Sequence, residues 1–224
     1  MRDFLPPLLR TIPDTEEFPF QWPPRYNIAP TQMVLTVHHD IEAPAAMVEP
    51  LRWGLVPFWA KDLSIGNRMI NARSETAAEK PSFRAAMKRR RCLIPADGYY
   101  EWQKVGSKKQ PFYIHHAEGR TFAMAGLYEE NSKASEDGST VRTCTILTTS
   151  ANSVTGRVHE RMPCIIEEQD VETWLDPNND DSREVSSMLR PAADDAMTMH
   201  PVDRAVGNVR NEGPSLIRPI DIEA

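Results

Sequence analysis

Runs of strand-forming residues, separated by polar turns, predict that most of this chain is β-structure. From Thr31 to His38 the apolar residues Met33, Leu35 and Val37 occupy every second position, which predicts a strand with one apolar face. An extended apolar stretch bent by glycine and proline follows at Leu51–Trp59. Further strands are predicted at Cys92–Ile94, Tyr99–Gln103, Pro111–His115, Thr121–Tyr128, Thr143–Thr148 and Met197–Val202.

Helical signals are shorter and fewer. Pro81–Arg90 begins with proline, has one apolar side and ends in basic residues, a pattern typical of a short helix. Short helices are also predicted at Asp170–Leu175 and Ser182–Leu189, and Asn131–Thr140 is the most loop-like segment. Consecutive strands with helices between and after them indicate an α+β fold rather than alternating βαβ units. Without an internal repeat or long linker, residues 1–224 are predicted to form a single domain.

Composition indicates a reduced intracellular protein. The 224 residues, 40% of them hydrophobic, suffice for one medium domain with a sizeable core. No apolar run approaches the roughly 18 residues of a membrane span, and the first residues are too short and too interrupted for a signal peptide. The cysteines Cys92, Cys144 and Cys164 contain no Cys-x-x-Cys pair, which argues against disulfides and zinc. We therefore expect a cytoplasmic protein with no membrane and no metal.

The charge is unfavourable for nucleic-acid binding as a whole but is unevenly distributed. The formal net charge is −6, whereas phosphate binding is driven by cationic surface. Acidic residues cluster at Asp14–Glu17, Glu167–Asp170 and Asn178–Asp181, and basic residues cluster at Lys88–Arg91. A solvated helix end, whose cations favour the C-terminal dipole, is a better interpretation of the basic run than a DNA contact.

Two polar segments carry candidate acid–base groups. Glu101 lies between Tyr100 and Trp102, and aromatic neighbours would desolvate its carboxyl group and raise its pKa, which suits proton transfer. The alternative, a strand residue facing solvent, is commoner. His159 lies in a turn-like stretch before a Met-Pro break, where functional and structural use are equally expected.

A third polar segment supplies an amide and a cation. Asn71 and Arg73 are two residues apart, so a strand would present both on the same face. The alternative for Asn71 is a turn cap. Together the three segments predict a pocket with one carboxylate, one imidazole and one carboxamide, flanked by guanidinium groups suited to phosphate.

The remaining histidines and cysteines are predicted to be structural. The pairs His38–His39 and His115–His116 lie on strands and point to opposite faces, so we expect surface or half-buried structural residues. A cysteine protease is the competing enzyme class, because Cys164 lies five residues from His159. Its apolar surroundings favour a buried thiol instead. Nucleotide, hydrolase and zinc signatures are absent, so no cofactor is predicted.

Six blocks, in order along the chain, closely resemble the SRAP family, the SOS-response-associated peptidase-like proteins that act on abasic sites in single-stranded DNA. They are Pro24–Thr31, Trp53–Pro57, Ile70–Thr76, Pro95–Trp102, His159–Pro163 and Ala205–Asn211. The resemblance implies an α+β fold whose mostly antiparallel strands curl into a barrel-like core, with peripheral short helices and a basic cleft. It also implies a monomer that captures abasic sites as a covalent DNA–protein crosslink in the DNA damage and SOS response, nucleoid-associated when bound to DNA.

The resemblance also implies roles for individual residues. An N-terminal cysteine forms an imine with the ring-opened sugar through its amine and closes a thiazolidine through its thiolate. Asn71 would hold the adduct, Glu101 would shuttle protons, and His159 would protonate or orient the sugar oxygen and help to reverse the linkage.

The same resemblance assigns contacts to the DNA strand. Arg73 and Arg161 would grip the flanking phosphates. Pro30, Trp59 and Trp102 would wedge or stack at the kinked strand.

The sequence departs from the family at its first residues. Family chains begin Met-Cys-Gly-Arg-Phe, whereas this one begins Met1-Arg2-Asp3-Phe4. One interpretation places the true start upstream. Another is a binding module for damaged or single-stranded DNA that has lost crosslinking, with reversible imine formation through the Met1 amine as a further hypothesis. A cysteine-type peptidase or autopeptidase, which would need a reactive internal thiol, is the third interpretation.

Overall fold

The structure is a computed structural model that describes residues 22–41, 43, 46–135 and 137–222. Its strands are β1 Met33–His38, β2 Met47–Trp53, β3 Asn71–Arg73, β4 Arg91–Ala96, β5 Gly98–Val105, β6 Lys108–His116, β7 Phe122–Asn131, β8 Val141–Ser150, β9 Arg161–Pro163, β10 Ile165–Ile166 and β11 Met197–Pro201. Its α-helices are α1 Ser74–Ala77, α2 Arg84–Arg89, α3 Val171–Leu175 and α4 Ser182–Ser187. Within the described ranges, no helix is long and apolar enough to cross a membrane.

Five strands close into a barrel. β1 pairs antiparallel with β2 and β4, β4 with β7, and β7 with β8. The ring closes where β2 and β8 run parallel, with Arg52 opposite Thr143 and Trp53 opposite Cys144. The predicted α+β fold, with a mostly antiparallel barrel-like core and peripheral short helices, is confirmed.

A second sheet lies beside the barrel. It contains β5, β6 and β11 in the order β11–β6–β5, with both pairings antiparallel. β5 is therefore an edge strand, which leaves the backbone groups of one side unpaired within the sheet. The sequence prediction placed both hairpin strands correctly but made each shorter than it is.

Barrel closure changes the burial pattern expected for β1. Met33 is exposed, whereas Val34 and Leu35 are both buried, and Val37 has no accessible surface. The predicted single apolar face is therefore wrong, because a closed barrel with helices outside buries both faces of a strand. Helices α2, α3 and α4 contribute Met87, Trp174 and Val185, among others, to the cluster that covers the outside.

One end of the barrel holds a network of charged side chains. His38 has no accessible surface and lies between two carboxylates, with its Nε2 2.6 Å from Glu49 and its Nδ1 3.3 Å from Asp40. Arg142 pairs with Glu49 and with Asp40, and the Tyr128 hydroxyl donates to Asp40. The expectation that His38 is a surface or half-buried residue is wrong, because these partners stabilise a fully buried imidazole.

The basic run Lys88–Arg91 is only partly the solvated helix end that the sequence predicted. Arg91 is 2% exposed and starts β4. Its guanidinium donates to the carbonyl oxygens of Trp174 at 2.7 Å and Lys88 at 2.7 Å, which satisfies carbonyls at the ends of two helices. Arg91 therefore has a structural role.

Candidate active-site pocket

A pocket of about 300 Å³ lies between the edge strand β5 and the end of the barrel opposite the His38 network. It is lined by Trp53, Asn71, Arg73, Tyr99, Tyr100, Glu101, Met124, Ile146, Thr148, His159, Arg161, Met162 and Pro163. The three segments that the sequence singled out therefore meet around one cavity, although 30 and 58 residues separate the candidate acid–base and amide groups along the chain.

The short strand β3 presents the amide and one cation. It pairs parallel with β8, so that Asn71 lies opposite Ile146 and Arg73 opposite Thr148. Ala72 is buried at 2% exposure, while its two neighbours are exposed. Asn71 and Arg73 therefore point to the same face, as the spacing predicted.

Glu101 reaches the pocket from β5. Burial raises the pKa of its carboxyl group above the ordinary value, and the nearby charge of His159 only partly offsets this effect. A Cβ at Gly98 would lie 2.3 Å from the Tyr113 ring, so glycine at this position lets β5 pair closely with β6. A carboxyl group with a raised pKa beside an imidazole is suited to proton transfer near neutral pH.

His159 follows a 3₁₀ turn at Thr155–Arg157 and precedes β9. Nδ1 lies 3.1 Å from the Arg161 backbone N–H and 3.2 Å from the Arg161 carbonyl oxygen, so the backbone of Arg161 holds this edge of the ring. Asn152 holds the turn by accepting from the Thr155 N–H and hydroxyl, both at 2.9 Å. The ring is exposed, but its orientation is set by the backbone.

The two pocket arginines differ in their partners. Arg161 forms a two-pronged ion pair with Glu75, at 2.6 and 2.8 Å, and also donates to the Thr148 carbonyl. The hydrogen bonds from Arg161 lower the pKa of Glu75 to about 2, and the same pair raises the pKa of Arg161. Arg73 has no ion-pair partner in the described part of the chain. Arg73 is thus the guanidinium available to a ligand.

The predicted stacking residues lie outside the lining of the pocket. Trp59 is 44% exposed, Trp102 is 40% exposed and Pro30 is also exposed. Trp53, for which no role was predicted from the sequence, lines the pocket and donates from Nε1 to the Ile70 carbonyl at 2.8 Å.

Two other residues at the site carried signals that the sequence reasoning did not use. Tyr99 alternates with Glu101 along β5, so both belong to one strand face. Glu75 follows Arg73 in the same polar segment and holds Arg161 in place.

The three cysteines are buried, as predicted. Cys92, Cys144 and Cys164 each have no accessible surface. Desolvation raises the pKa of all three thiols, that of Cys164 to about 12. Thiols in this state lack the exposure and thiolate character of a catalytic nucleophile.

Within the described ranges, no cluster of three or more His, Cys, Asp or Glu residues has the geometry to hold a metal ion. The predictions about Met1, Arg2 and the acidic cluster Asp14–Glu17 lie outside the described residues.

Comparison with known proteins gives a consistent result. Residues 8–209 match the family described as SOS response associated peptidase (SRAP). The chain is 42% identical over 198 residues to the abasic site processing protein YoqW of Bacillus subtilis, covering 88% of this chain and 87% of that protein. It is 33% identical over 230 residues to the abasic site processing protein HMCES of Gallus gallus, covering 89% and 67%. A crystal structure of a Bacteroides thetaiotaomicron protein superposes with a TM-score of 0.76 at 29% identity, covering 85% and 82%.

Proposed function

From the premise that this chain belongs to the SRAP family, we propose that it binds single-stranded DNA at abasic sites and processes the lesion in the pocket between β5 and the barrel. The observation that carries the proposal is the convergence of Asn71, Glu101 and His159 on one cavity of about 300 Å³. The similarity to proteins named for abasic site processing supports the substrate class.

The first chemical step in this proposal is opening of the abasic sugar. Glu101, whose pKa burial raises, donates a proton to the ring oxygen as the bond from C1′ to that oxygen breaks. A base, for which His159 is the available group, removes the proton of the C1′ hydroxyl, and an aldehyde forms. The Asn71 carboxamide positions the sugar by hydrogen bonding. Each proton is thereby accounted for within the pocket.

Covalent capture requires a primary amine. The amine attacks the C1′ aldehyde, and loss of water leaves an imine. Among the described residues, the lining of the pocket contains no lysine, and the three internal thiols are buried, so we assign the nucleophile to the terminal α-amine of the mature chain. A terminal cysteine, where the mature chain has one, would add its thiolate to the imine carbon and close a thiazolidine.

DNA contacts around the lesion involve groups of two kinds. Arg73 contacts a flanking phosphate, because it is exposed and has no ion-pair partner in the described ranges. Arg161 contacts a phosphate only where its guanidinium is released from its hydrogen bonds to Glu75. Trp59, Trp102 and Pro30 contact bases outside the pocket, since all three are exposed.

A non-catalytic binding module is the second candidate, favoured by the exposed stacking residues rather than by the acid–base pair. The two functions separate in one experiment. The purified protein is incubated with a labelled single strand carrying one abasic site, with and without borohydride, and with the matched intact strand. We expect a borohydride-stabilised protein–DNA band with the abasic strand and none with the intact strand.

The control for this experiment removes an imidazole elsewhere. His159→Gln should slow formation or reversal of the adduct, whereas His116→Gln, on the second sheet, should leave both unchanged. Preferential affinity for abasic DNA without any trapped product would favour the binding module. Equal affinity for abasic and intact strands would overturn the proposed function itself.

A further inference from the structure

The tip of the β5–β6 hairpin combines two features that a solvated hairpin normally avoids. Lys104 lies directly opposite Lys109 in the antiparallel register, and like charges in that position repel and destabilise the pair. Val105 at the tip is 55% exposed, and Trp102 is 40% exposed. No described residue offsets this repulsion or covers this exposed apolar surface, which points to a ligand that does both.

The charges on the hairpin are not compensated by neighbouring carboxylates. Lys104, Lys108 and Lys109 are exposed, and none has an ion-pair partner in the described part of the chain. The acidic residue within the two strands, Glu101, faces the pocket. The hairpin is therefore locally cationic in a chain with a net charge of −6.

The lysines and the tryptophan share one face. Residues two apart on a strand point the same way, which aligns Trp102 with Lys104, and the register adds Lys109 directly opposite Lys104. An aromatic ring beside two cations is the combination that proteins use for single-stranded nucleic acid, where bases stack and phosphates pair. Lys104 is three residues from Glu101, or roughly 10 Å at the rise of a strand, and the alternation places it on the opposite face of β5 from Glu101. A DNA strand that leaves the pocket reaches this face by passing around the free edge of β5.

We propose that the Trp102–Lys104–Lys109 face of the β5–β6 hairpin binds the single strand beyond the pocket, at least about three stacked nucleotides from the lesion at roughly 3.4 Å each. This inference rests on the proposed function, because it extends the same DNA strand around the free edge of β5. It sets how many nucleotides on one side of the lesion the protein needs. The remaining lysine, Lys108, lies opposite Val105 on the other face of the hairpin.

The test compares Lys104→Gln/Lys109→Gln with the charge-matched control Lys88→Gln/Arg183→Gln, whose residues are exposed on α2 and α4. Anisotropy of a labelled abasic single strand of about 20 nucleotides is measured over a salt series. The hairpin variant should lower the slope of log affinity against log salt by about 1.4 relative to the wild type, at about 0.7 per lost phosphate contact. The control should keep the wild-type slope.

The length of the DNA on each side of the lesion locates the contact between the DNA and the hairpin. Two abasic strands are compared, one with a single nucleotide on the 5′ side of the lesion and one with a single nucleotide on the 3′ side. The difference in affinity between the wild type and the hairpin variant should vanish on one of the two strands. The melting temperature of the hairpin variant should be unchanged or higher, since a repulsive pair is removed. An unchanged salt slope, with the wild type still preferring abasic DNA, would overturn the hairpin surface alone. Loss of that preference in the wild type would instead overturn the proposed function.

Discussion

The two ends of the barrel hold similar polar residues, but these are fully paired at one end and only partly paired at the other. Strands β2, β7 and β8 contribute to both ends, with Glu49 and Arg142 at one and Trp53 and Thr148 at the other. At the first end, each charged side chain has an ionic or hydrogen-bonded partner within the network. At the second, Arg161 is paired with Glu75, but Arg73 and Asn71 are exposed and without such partners in the described ranges, and Glu101 is desolvated.

The contrast distinguishes polar groups that stabilise the fold from polar groups that remain available to a ligand. Burial alone would raise the pKa of Asp40 and of Glu49, but hydrogen bonds from Tyr128 and His38 and the charge of Arg142 outweigh it, and both values are lowered. For Glu101 the balance is reversed, because burial outweighs the single neighbouring charge. The network end therefore gains from being ionised, whereas the pocket end keeps groups whose best partners are not in the fold.

The largest effect is expected from a substitution at the pocket end of the barrel. Glu101→Gln removes the proton donor and should slow lesion processing by about 10²–10⁴-fold, measured as the rate of borohydride-trapped adduct formation. Affinity for intact single strands should hardly change. Since the folded pKa of Glu101 is raised, its ionised form costs stability as pH rises, and the variant should be equally or more stable at pH 7. The surface control Glu118→Gln should retain the wild-type rate, and a comparable loss of affinity would contradict the acid–base role.

The next largest effect is expected from a substitution in the charged network at the other end of the barrel. Arg142→Ala leaves Asp40, Glu49 and Glu130 without their shared cation and should cost about 3 kcal/mol of unfolding free energy. For a chain of this size, the melting temperature should fall by about 6–12 °C. The exposed control Arg183→Ala should change stability by less than about 0.5 kcal/mol.

The pH profile of the Arg142→Ala variant provides a second test of the same network. The lowered pKa values of Asp40 and Glu49 mean that their contribution is present above the unfolded values of about 4 and is lost as pH falls below them. The wild type should therefore lose stability between about pH 5 and pH 2 more steeply than the variant. Parallel profiles would place the stabilisation elsewhere.

A smaller effect distinguishes the two pocket arginines. Arg73→Ala should weaken binding to single strands about tenfold, irrespective of base sequence, and reduce the salt slope by about 0.7. Arg161→Ala should lower the melting temperature more and the salt slope less, because its guanidinium is engaged by Glu75 and Thr148. An identical salt slope for the two variants would mean that both arginines, or neither, contact phosphate.

The smallest effect sharpens the role of Glu75. Glu75→Gln should cost less than about 1 kcal/mol at pH 7, because the carboxylate is 48% exposed. Affinity for single-stranded DNA should rise a few-fold, since Arg161 is released toward phosphate. A fall in affinity would instead show that Glu75 holds Arg161 in the orientation needed for DNA. Glu160→Gln provides a charge-matched control in an exposed neighbour of the site.

The sequence predicted the pocket better than its surroundings. The alternation around Ala72 and the aromatic flanks of Glu101 are local signals, and local signals are what determine the face of a strand. Tertiary closure determines the rest. His38 and Arg91 were expected on or near the surface because their partners, Glu49 and the carbonyls of α3 and its following turn, are not adjacent in sequence.

The residues missed at the site have the same explanation. Trp53 enters the pocket only because β2 pairs with β8, and no feature of its own segment indicates that partner. Glu75 was passed over because its partner Arg161 lies 86 residues away. Strand boundaries were predicted too short wherever a polar residue belonged to the ladder, as at Lys104 in β5 and Glu129 in β7.

The parallel contact between β2 and β8 has a consequence for how the chain folds. Arg52 and Thr143 are 91 positions apart, so the ring closes only after a large loop has been ordered. β3 pairs with β8 along the same edge, and the cavity that Asn71 and Arg73 line also contains Trp53 of β2, so the complete site needs this closure. A partly folded chain that has formed the β5–β6 and β7–β8 hairpins would still lack the site. Lesion binding during refolding would therefore appear in the last kinetic phase, after most of the secondary structure has formed.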